Sequence, residues 1–191
     1  MSAIRRMTVS IKENLANSVE EISKRTGKSA STILSESVTL YVEAKAVGLS
    51  AENAISTVKI MNIMKEINAV PFPSMLLDFV ITHSTLANEP EAMKKWYERG
   101  VIVGNIIGKY VKSLDELRDF VNEHRMMIPI DAFELITRND QATLIVSGVG
   151  YSKESATATA EGIKGLLSSF GHEVTKSVVS EGFVKIESRE K

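Results

Sequence analysis

The segment Arg5-Arg6-Met7-Thr8-Val9-Ser10-Ile11 constrains the fold of this chain more than any other, because its apolar and polar residues alternate strictly. The apolar positions are Met7, Val9 and Ile11, and the polar positions are Arg6, Thr8 and Ser10. This alternation predicts a half-buried strand with one face on a core. The other face carries an arginine and two hydroxyl side chains, which are groups able to contact the edges of DNA bases. Such a short strand needs pairing and packed helices to be stable.

Two amphipathic helices are predicted directly after this strand. The first spans residues 12–25 with Leu15, Val19 and Ile22 on one face. Gly27 suits the left-handed residue that ends a helix, and Ser29 is the expected N-cap of the second helix. The apolar face of the second helix carries Ile33, Leu34, Val38, Tyr41 and Val42. Residues 4 to about 46 therefore follow the order strand, helix, glycine turn, helix.

This order, with the R-M-T-V-S-I strand, the G-K-S-A-S turn and a second helix containing Tyr41, resembles the ribbon-helix-helix family of CopG, Arc and MetJ. The resemblance implies that two chains pair their strands into one ribbon, which enters the major groove of double-stranded DNA. It implies that the base-reading residues are Arg6, Thr8 and Ser10. The implied phosphate-binding residues are Arg5, Lys28, Ser29, Ala30 and Ser31, and the N-terminal end of a helix does favour an anion. A similar strand before two helices also occurs in ordinary α+β domains, so that alternative stays open.

Charge is distributed unevenly along the chain. Residues 1–30 carry six basic and three acidic residues, a net +3, and the whole chain carries −1, which leaves −4 for the remainder. A basic end on an acidic body is typical of a small DNA-binding part joined to a domain that does not bind DNA. A solvated mosaic of charges is the alternative interpretation.

Cysteine is absent from the sequence. This excludes disulfides, thiolate zinc sites and cysteine nucleophiles. The N-terminus lacks the apolar run of a signal peptide, and no uncharged apolar stretch approaches the length of a membrane span. We therefore expect a cytoplasmic protein that does not associate with a membrane.

The remainder of the chain is predicted to form a linker helix and a larger domain. Ser50 can cap a helix that reaches about residue 69, and the stiff connector Val70-Pro71-Phe72-Pro73 follows. The strongly apolar helix of residues 74–87 is expected at the centre of the larger domain, and a further helix runs from residue 89 to about residue 111. The predicted domains are a ribbon-helix-helix DNA-binding domain at 1–47, a linker helix at 48–69 and an α+β domain at 70–191 that is expected to sense a ligand or to dimerise.

Gly100, Gly104 and Gly108 recur every four residues and lie on one face of this further helix. Each costs about 1 kcal/mol relative to alanine inside a helix, so some contact must offset that cost. One hypothesis is the close approach of another helix or strand. The other is a ligand pocket against bare backbone, formed by Trp96, Gly100 and Gly104.

The C-terminal part predicts an α+β fold in which helices are followed by the order β-β-α-β-β. Ser113 and Glu116 form a capping box that opens one helix. Strands are predicted at residues 133–137 and 143–149 around a turn, followed by a helix at 153–170 and by strands at 173–179 and 183–188.

Three motifs in this part resemble the small-molecule-sensing domain related to vinyl reductase and to TRAPP vesicle-tethering subunits. They are W-Y-E-R-G-V-I-V-G-N (96–105), S-L-D-E-L (113–117) and A-E-G-I-K-G-L-L-S-S-F-G-H-E-V (160–174). The resemblance covers residues 70–189 and implies dimerisation and a pocket for a small apolar ligand. The zinc site of that family is built largely from cysteine, so it cannot be carried over to this chain.

No catalytic motif is visible in the sequence. His83, His124 and His172 lack the spacing of metal ligands, and there is no phosphate loop, dinucleotide fingerprint or nucleophile elbow. We therefore predict a non-enzymatic, cofactor-free, homodimeric regulator of transcription, with higher oligomers open. An antitoxin-like or tethering protein that binds a protein partner, and an enzyme with an accessory DNA-binding part, are the alternatives.

Overall fold

The computed structural model describes residues 7–124, 130–148 and 152–191. The chain forms two compact units, an N-terminal unit ending at Ile55 and a C-terminal unit from Ser56 to Lys191. The helices of the described residues are α1 (Glu13–Thr26), α2 (Ala30–Ala46), α3 (Ala51–Glu66), α4 (Ser74–Ile107), α5 (Leu114–Glu123) and α6 (Lys153–Ser169). The strands are β1 (Ala132–Arg138), β2 (Gln141–Ser147), β3 (His172–Ser180) and β4 (Phe183–Glu190). The predicted α+β class, with helices followed by β-β-α-β-β, is confirmed.

The N-terminal unit contains a hairpin of α1 and α2. Gly27 ends α1 in the left-handed conformation with φ 71°, and its N–H donates to Ser23 O over 2.9 Å. Ser29 caps α2, because its Oγ accepts from Thr32 N over 3.1 Å. Both predictions from local sequence are confirmed. Residues 7–12 form no strand within the single chain.

The boundary between the units falls inside α3, within the linker predicted at residues 48–69. Ser50 Oγ accepts from Asn53 N over 3.1 Å and so caps this helix as expected. Ser56, Ile60 and Ile63 are buried, and Ile63 belongs to the main core of the C-terminal unit. The second part of α3 is therefore a packed element of that unit.

The four strands form one antiparallel sheet in the order β1-β2-β4-β3. Leu144 in β2 pairs with Leu135 in β1 and with Ile186 in β4, and all three side chains are buried. Helix α6 packs against this sheet and contributes the fully buried Leu167 to the core. The β1–β2 turn contains Asn139 at φ 53°, a left-handed conformation that asparagine tolerates.

Helix α4 is broken at Asn88, whose φ of −161° and ψ of 84° are not helical. Asn88 Oδ1 accepts from Glu91 N over 3.3 Å, so Asn88 acts as the N-cap of the second segment. Pro90 follows in the first turn, where it removes no helical hydrogen bond. The two helices predicted from the sequence are therefore present as a first segment (residues 74–87) and a second segment (residues 89–107).

The expectation that residues 74–87 lie at the centre of the domain is wrong. Ile81 and Thr85 are buried, but Met75 on the other side of the segment is 87% exposed and Leu86 is 76% exposed. The segment packs through one face only. Among the described residues, no helix combines the length and the apolar character needed to cross a bilayer.

Candidate nucleic-acid interface

Residues 7–12 lie on the surface and carry the alternation predicted for the ribbon. Met7 is 80% exposed, Val9 61% and Ile11 43%. Of the predicted base-reading residues, Thr8 and Ser10 lie between these positions and are also exposed. Arg6 and the predicted phosphate ligand Arg5 lie outside the described residues.

The turn between α1 and α2 is held by side chains from the end of α1. Ser23 Oγ donates to Lys28 O over 2.7 Å, and Thr26 Oγ1 donates to Ile22 O over 2.7 Å. With Gly27 in the left-handed conformation, these bonds set the direction in which Lys28 leads into α2. The local sequence thus determines where α2 begins.

The first turn of α2 brings four of the predicted phosphate-binding residues together: Lys28, Ser29, Ala30 and Ser31. All four are exposed. Ser29 satisfies the N–H of Thr32, whereas the N–H groups of Ala30 and Ser31 are in positions that have no acceptor within a helix. The positive end of the helix dipole lies there too, so this turn has the chemistry of an anion site.

Lys28 is paired with a carboxylate that the sequence interpretation missed. Its Nζ lies 2.7 Å from Glu36 Oε1 and 2.9 Å from Glu36 Oε2. Both side chains are about half exposed, and such a surface pair contributes little to stability. A phosphate arriving at Lys28 would compete with Glu36. The ion pair could have been expected from the sequence, because Glu36 follows Ser29 by seven residues and so lies on the same face of α2.

The N-terminal unit buries very little apolar surface in the single chain. Helix α1 has no buried residue, and α2 buries Ile33 and Ala44. The exposed apolar side chains of the two helices include Leu15, Ile22, Val38, Leu40, Tyr41 and Val42. Their exposure leaves the hairpin without a core of its own.

In the C-terminal unit, the predicted pocket of Trp96, Gly100 and Gly104 does not form against the glycines. A Cβ atom at Gly100 would overlap the carbonyl of Gly162, and one at Gly104 would overlap the side chain of Ser169. Both glycines are buried against α6, which leaves no room for a ligand, and Trp96 is half-buried one turn earlier. The structure therefore supports close packing of another helix against these two glycines, and it does not support a ligand against their backbone.

A hydrogen-bonded cluster that joins one carboxylate of α4 to two serines at the start of α6 was not found from the sequence. Asp78 Oδ1 accepts from Ser152 N over 3.0 Å, from Ser152 Oγ over 2.7 Å and from Ser155 Oγ over 2.5 Å. The hydrogen bond from Ser155, followed by that from Ser152, lowers the pKa of Asp78. Because Asp78 accepts hydrogen bonds from the N–H group of Ser152 and from the hydroxyls of Ser152 and Ser155 at the start of α6, it links α4 to α6.

The three histidines occupy separate positions. His83 Nδ1 lies 2.9 Å from Phe79 O at the surface, and His172 Nδ1 lies 3.3 Å from Ser188 Oγ. His124 is 2% exposed, and its Nδ1 lies 2.7 Å from Phe120 O. Within residues 7–124, 130–148 and 152–191, no three metal-ligating side chains come together.

Comparison of the chain with models of known protein families, with curated proteins and with solved structures gives no match. A functional assignment therefore depends on the residues and contacts of the chain itself.

Proposed function

We propose that the protein is a dimeric, sequence-specific DNA-binding regulator whose N-terminal unit is a ribbon-helix-helix module. The observation that carries the proposal is the exposure of the apolar side chains of residues 7–11, α1 and α2 in the single chain. These side chains lie on the alternating segment at residues 7–11 and on the two helices that come after it, which is the order that this module uses. The polar residues between them are those that a groove-reading ribbon requires.

Pairing of two copies accounts for the missing core. A hairpin of two helices with Ile33 and Ala44 as its buried apolar residues does not bury enough surface to be stable alone. If a second copy adds its own segment at residues 7–11, then Met7, Val9 and Ile11 lie on the inner face of a two-stranded ribbon. The helix faces around Leu15 and Val38 then close over that face. Obligate dimers of this kind often have no stable folded monomer.

The outer face of such a ribbon carries Arg6, Thr8 and Ser10, which we assign to base contacts. Arginine forms a bidentate contact with guanine, and the two hydroxyls can contact several bases. The first turn of α2, with Ser29, Ala30 and Ser31, binds a backbone phosphate through free N–H groups. Lys28 and Arg5 add positive charge around that phosphate. This division separates the residues that specify sequence from those that position the protein.

A pair of neutral substitutions in α2 tests the pairing of the heads. Val38→Asn places an amide on the apolar face, where dimerisation would bury it without a partner at a cost of about 1–3 kcal/mol. Thr39→Asn, one residue along on an exposed position, is the matched control. We expect Val38→Asn to lose DNA binding while Thr39→Asn keeps it, both measured by titration of labelled duplex pools. Equal binding by the two variants would contradict a dimeric reading head.

Substitution of the proposed DNA-contacting residues tests how the protein recognises the DNA sequence. Arg6→Ala is expected to relax sequence preference at one position, whereas Lys28→Ala weakens binding to all sequences alike. Selection from a randomised duplex library measures both effects. Binding should also fall steeply with salt, because phosphate contacts release counterions. An unchanged preferred site in Arg6→Ala would refute the assignment of the base-reading face.

A further inference from the structure

Two hydroxyl groups in the first turn of α2 lie within hydrogen-bonding distance of each other. Ser29 Oγ and Thr32 Oγ1 are 2.8 Å apart, and either atom can donate to the other. Ser29 Oγ also accepts from the backbone N–H of Thr32 over 3.1 Å, which is the capping bond of the helix. Both residues are exposed. We call these two groups the hydroxyl pair.

The hydroxyl pair has one hydrogen more than its own bonds use. Each hydroxyl carries one hydrogen and two acceptor lone pairs. The bond between Ser29 and Thr32 uses one of the two hydrogens, whichever atom donates it. Within residues 7–124, 130–148 and 152–191, neither hydroxyl donates to any other acceptor. One O–H group of the pair is therefore available to a ligand outside the helix.

The side chain of Thr32 borders an open cavity on the surface of α2. Thr32 and Ser31 line this cavity, which has a volume of about 690 Å³, whereas Ser29 does not line it. Glu36 is also in its wall, and the carboxylate of Glu36 is held by Lys28 Nζ at 2.7 and 2.9 Å. An anion that enters the cavity and displaces Glu36 from Lys28 would therefore meet an ammonium group and the available hydroxyl together.

We propose that Thr32 is a further phosphate-binding residue, whose hydroxyl donates to a backbone phosphate of the DNA. The proposal rests on the proposed DNA-binding function and adds one side chain to its phosphate site. Phosphate oxygens only accept hydrogen bonds, so the phosphate takes the available hydrogen of the hydroxyl pair. Because Thr32 lines the cavity and Ser29 does not, Ser29 donates to Thr32 Oγ1 and Thr32 donates outward.

This arrangement gives each side chain of the hydroxyl pair a separate task. Ser29 Oγ accepts from the backbone N–H of Thr32 and donates to Thr32 Oγ1, so both of its bonds stay within the helix. Thr32 then supplies the side-chain donor that complements the N–H groups of Ala30 and Ser31, which have no acceptor within a helix. Contacts to phosphate position a protein on DNA and do not read its sequence.

Removal of the Thr32 hydroxyl tests the assignment. Thr32→Val keeps the branched shape of the side chain and the backbone N–H that Ser29 caps. Thr39→Val is the matched control, because Thr39 lines the same cavity but its Oγ1 already donates to Ser35 O over 2.9 Å. Titration uses the duplex that the wild type selects from a randomised pool. We expect Thr32→Val to bind at least roughly fivefold more weakly with the same preferred sequence, and Thr39→Val to bind as the wild type does. Wild-type affinity in Thr32→Val would overturn the proposal.

A second measurement separates contact with phosphate from a purely structural role of Thr32 in the helix cap. The backbone phosphates of the selected duplex are replaced one at a time by neutral methylphosphonate. At the contacted phosphate, this replacement should weaken the wild type by a larger factor than it weakens Thr32→Val, because the variant has already lost one bond to that group. Equal factors for the two proteins at every phosphate would mean that Thr32 acts only through the stability of α2, and the proposal would be wrong.

The same titrations distinguish failure of this assignment from failure of the proposed function. A wild-type protein that selects no duplex from the pool would refute sequence-specific DNA binding, and the role of Thr32 with it. A wild-type protein that selects a duplex, together with a Thr32→Val variant of equal affinity, would refute the role of Thr32 alone.

Discussion

A Cβ atom on Gly100 in α4 would overlap the main-chain carbonyl oxygen of Gly162 in α6. At this point the two helices therefore touch through backbone. Gly165 makes the reciprocal contact, because a Cβ there would overlap the carbonyl of Tyr97. This contact offsets the helix-propensity cost of the glycines and fixes the distance between the helices.

We expect Gly100→Ala to destabilise the protein, because the methyl group forces α4 and α6 apart. Overpacking of this type costs about 1–3 kcal/mol, and it exceeds the gain of about 1 kcal/mol from alanine's helix propensity. Gly162→Ala is the control, since its Cβ would meet Trp96 O at an ordinary 3.8 Å, and it should be neutral or slightly stabilising. Urea unfolding of both variants measures the difference. Equal stability of Gly100→Ala and Gly162→Ala would mean that the contact between α4 and α6 adjusts to the added methyl group.

Asp78 is expected to contribute stability that depends on pH. Its folded-state pKa is lowered, so the contribution is fully present above the pKa of the unfolded chain and is lost as pH falls through the lower folded value. Asp78→Asn should cost about 1–2 kcal/mol near neutral pH, the scale of a lost helix cap. The difference from the wild type should shrink below about pH 4, where aspartate begins to protonate in the unfolded chain. If urea unfolding gave the same difference in free energy between Asp78→Asn and the wild type at every pH, the charge of Asp78 would not contribute to stability.

Ser29→Asp separates the capping role of this residue from its proposed role at DNA. Aspartate caps a helix as well as serine does, so the melting temperature should be retained. The added negative charge would occupy the proposed phosphate site, and affinity for DNA should fall at least roughly tenfold through the loss of charge-assisted hydrogen bonds. Ser113→Asp makes the same change at the N-cap of α5, where Ser113 Oγ accepts from Glu116 N over 3.1 Å. That control should melt and bind DNA as the wild type does.

Glu36→Gln is expected to strengthen DNA binding by releasing Lys28. A surface ion pair is worth about 0.2–1 kcal/mol, so the gain should be at most roughly fivefold. It should apply to all sequences, because Lys28 is assigned to a phosphate. Glu43→Gln changes an exposed glutamate further along α2 and accounts for the general effect of removing one negative charge. Identical gains in the two variants would argue against competition between Glu36 and phosphate.

Local signals in the sequence predicted the ends of helices well. Ser29, Ser50 and Ser113 each cap a helix through an N–H group three residues ahead, and such bonds depend on short stretches of sequence. Gly27 ends α1 for an equally local reason. The α+β order followed from the change of period after residue 130.

Contacts between distant parts of the chain could not be predicted in the same way. The Asp78–Ser155 bond joins residues separated by 77 positions, and neither side chain has a motif that identifies the other. The glycine stripe gave the correct expectation of a close approach, but it did not identify α6 as the partner. The first segment of α4 was placed at the centre because it is rich in apolar residues, and sequence alone does not show which of these residues pack within the chain.

The break at Asn88 sets the direction that the exposed side of residues 74–87 faces. Leu86 and Gly104 are 18 residues apart, which is five full turns of 3.6 residues, so an uninterrupted helix would carry both along the same line. In the folded chain Leu86 is largely exposed while Gly104 is buried against α6. The break at Asn88 thus resets the rotational phase of the helix, and one continuous stretch of sequence supplies two differently directed surfaces. A substitution at Asn88 that made α4 one continuous helix would place Leu86 on the same side of the helix as Gly100 and Gly104.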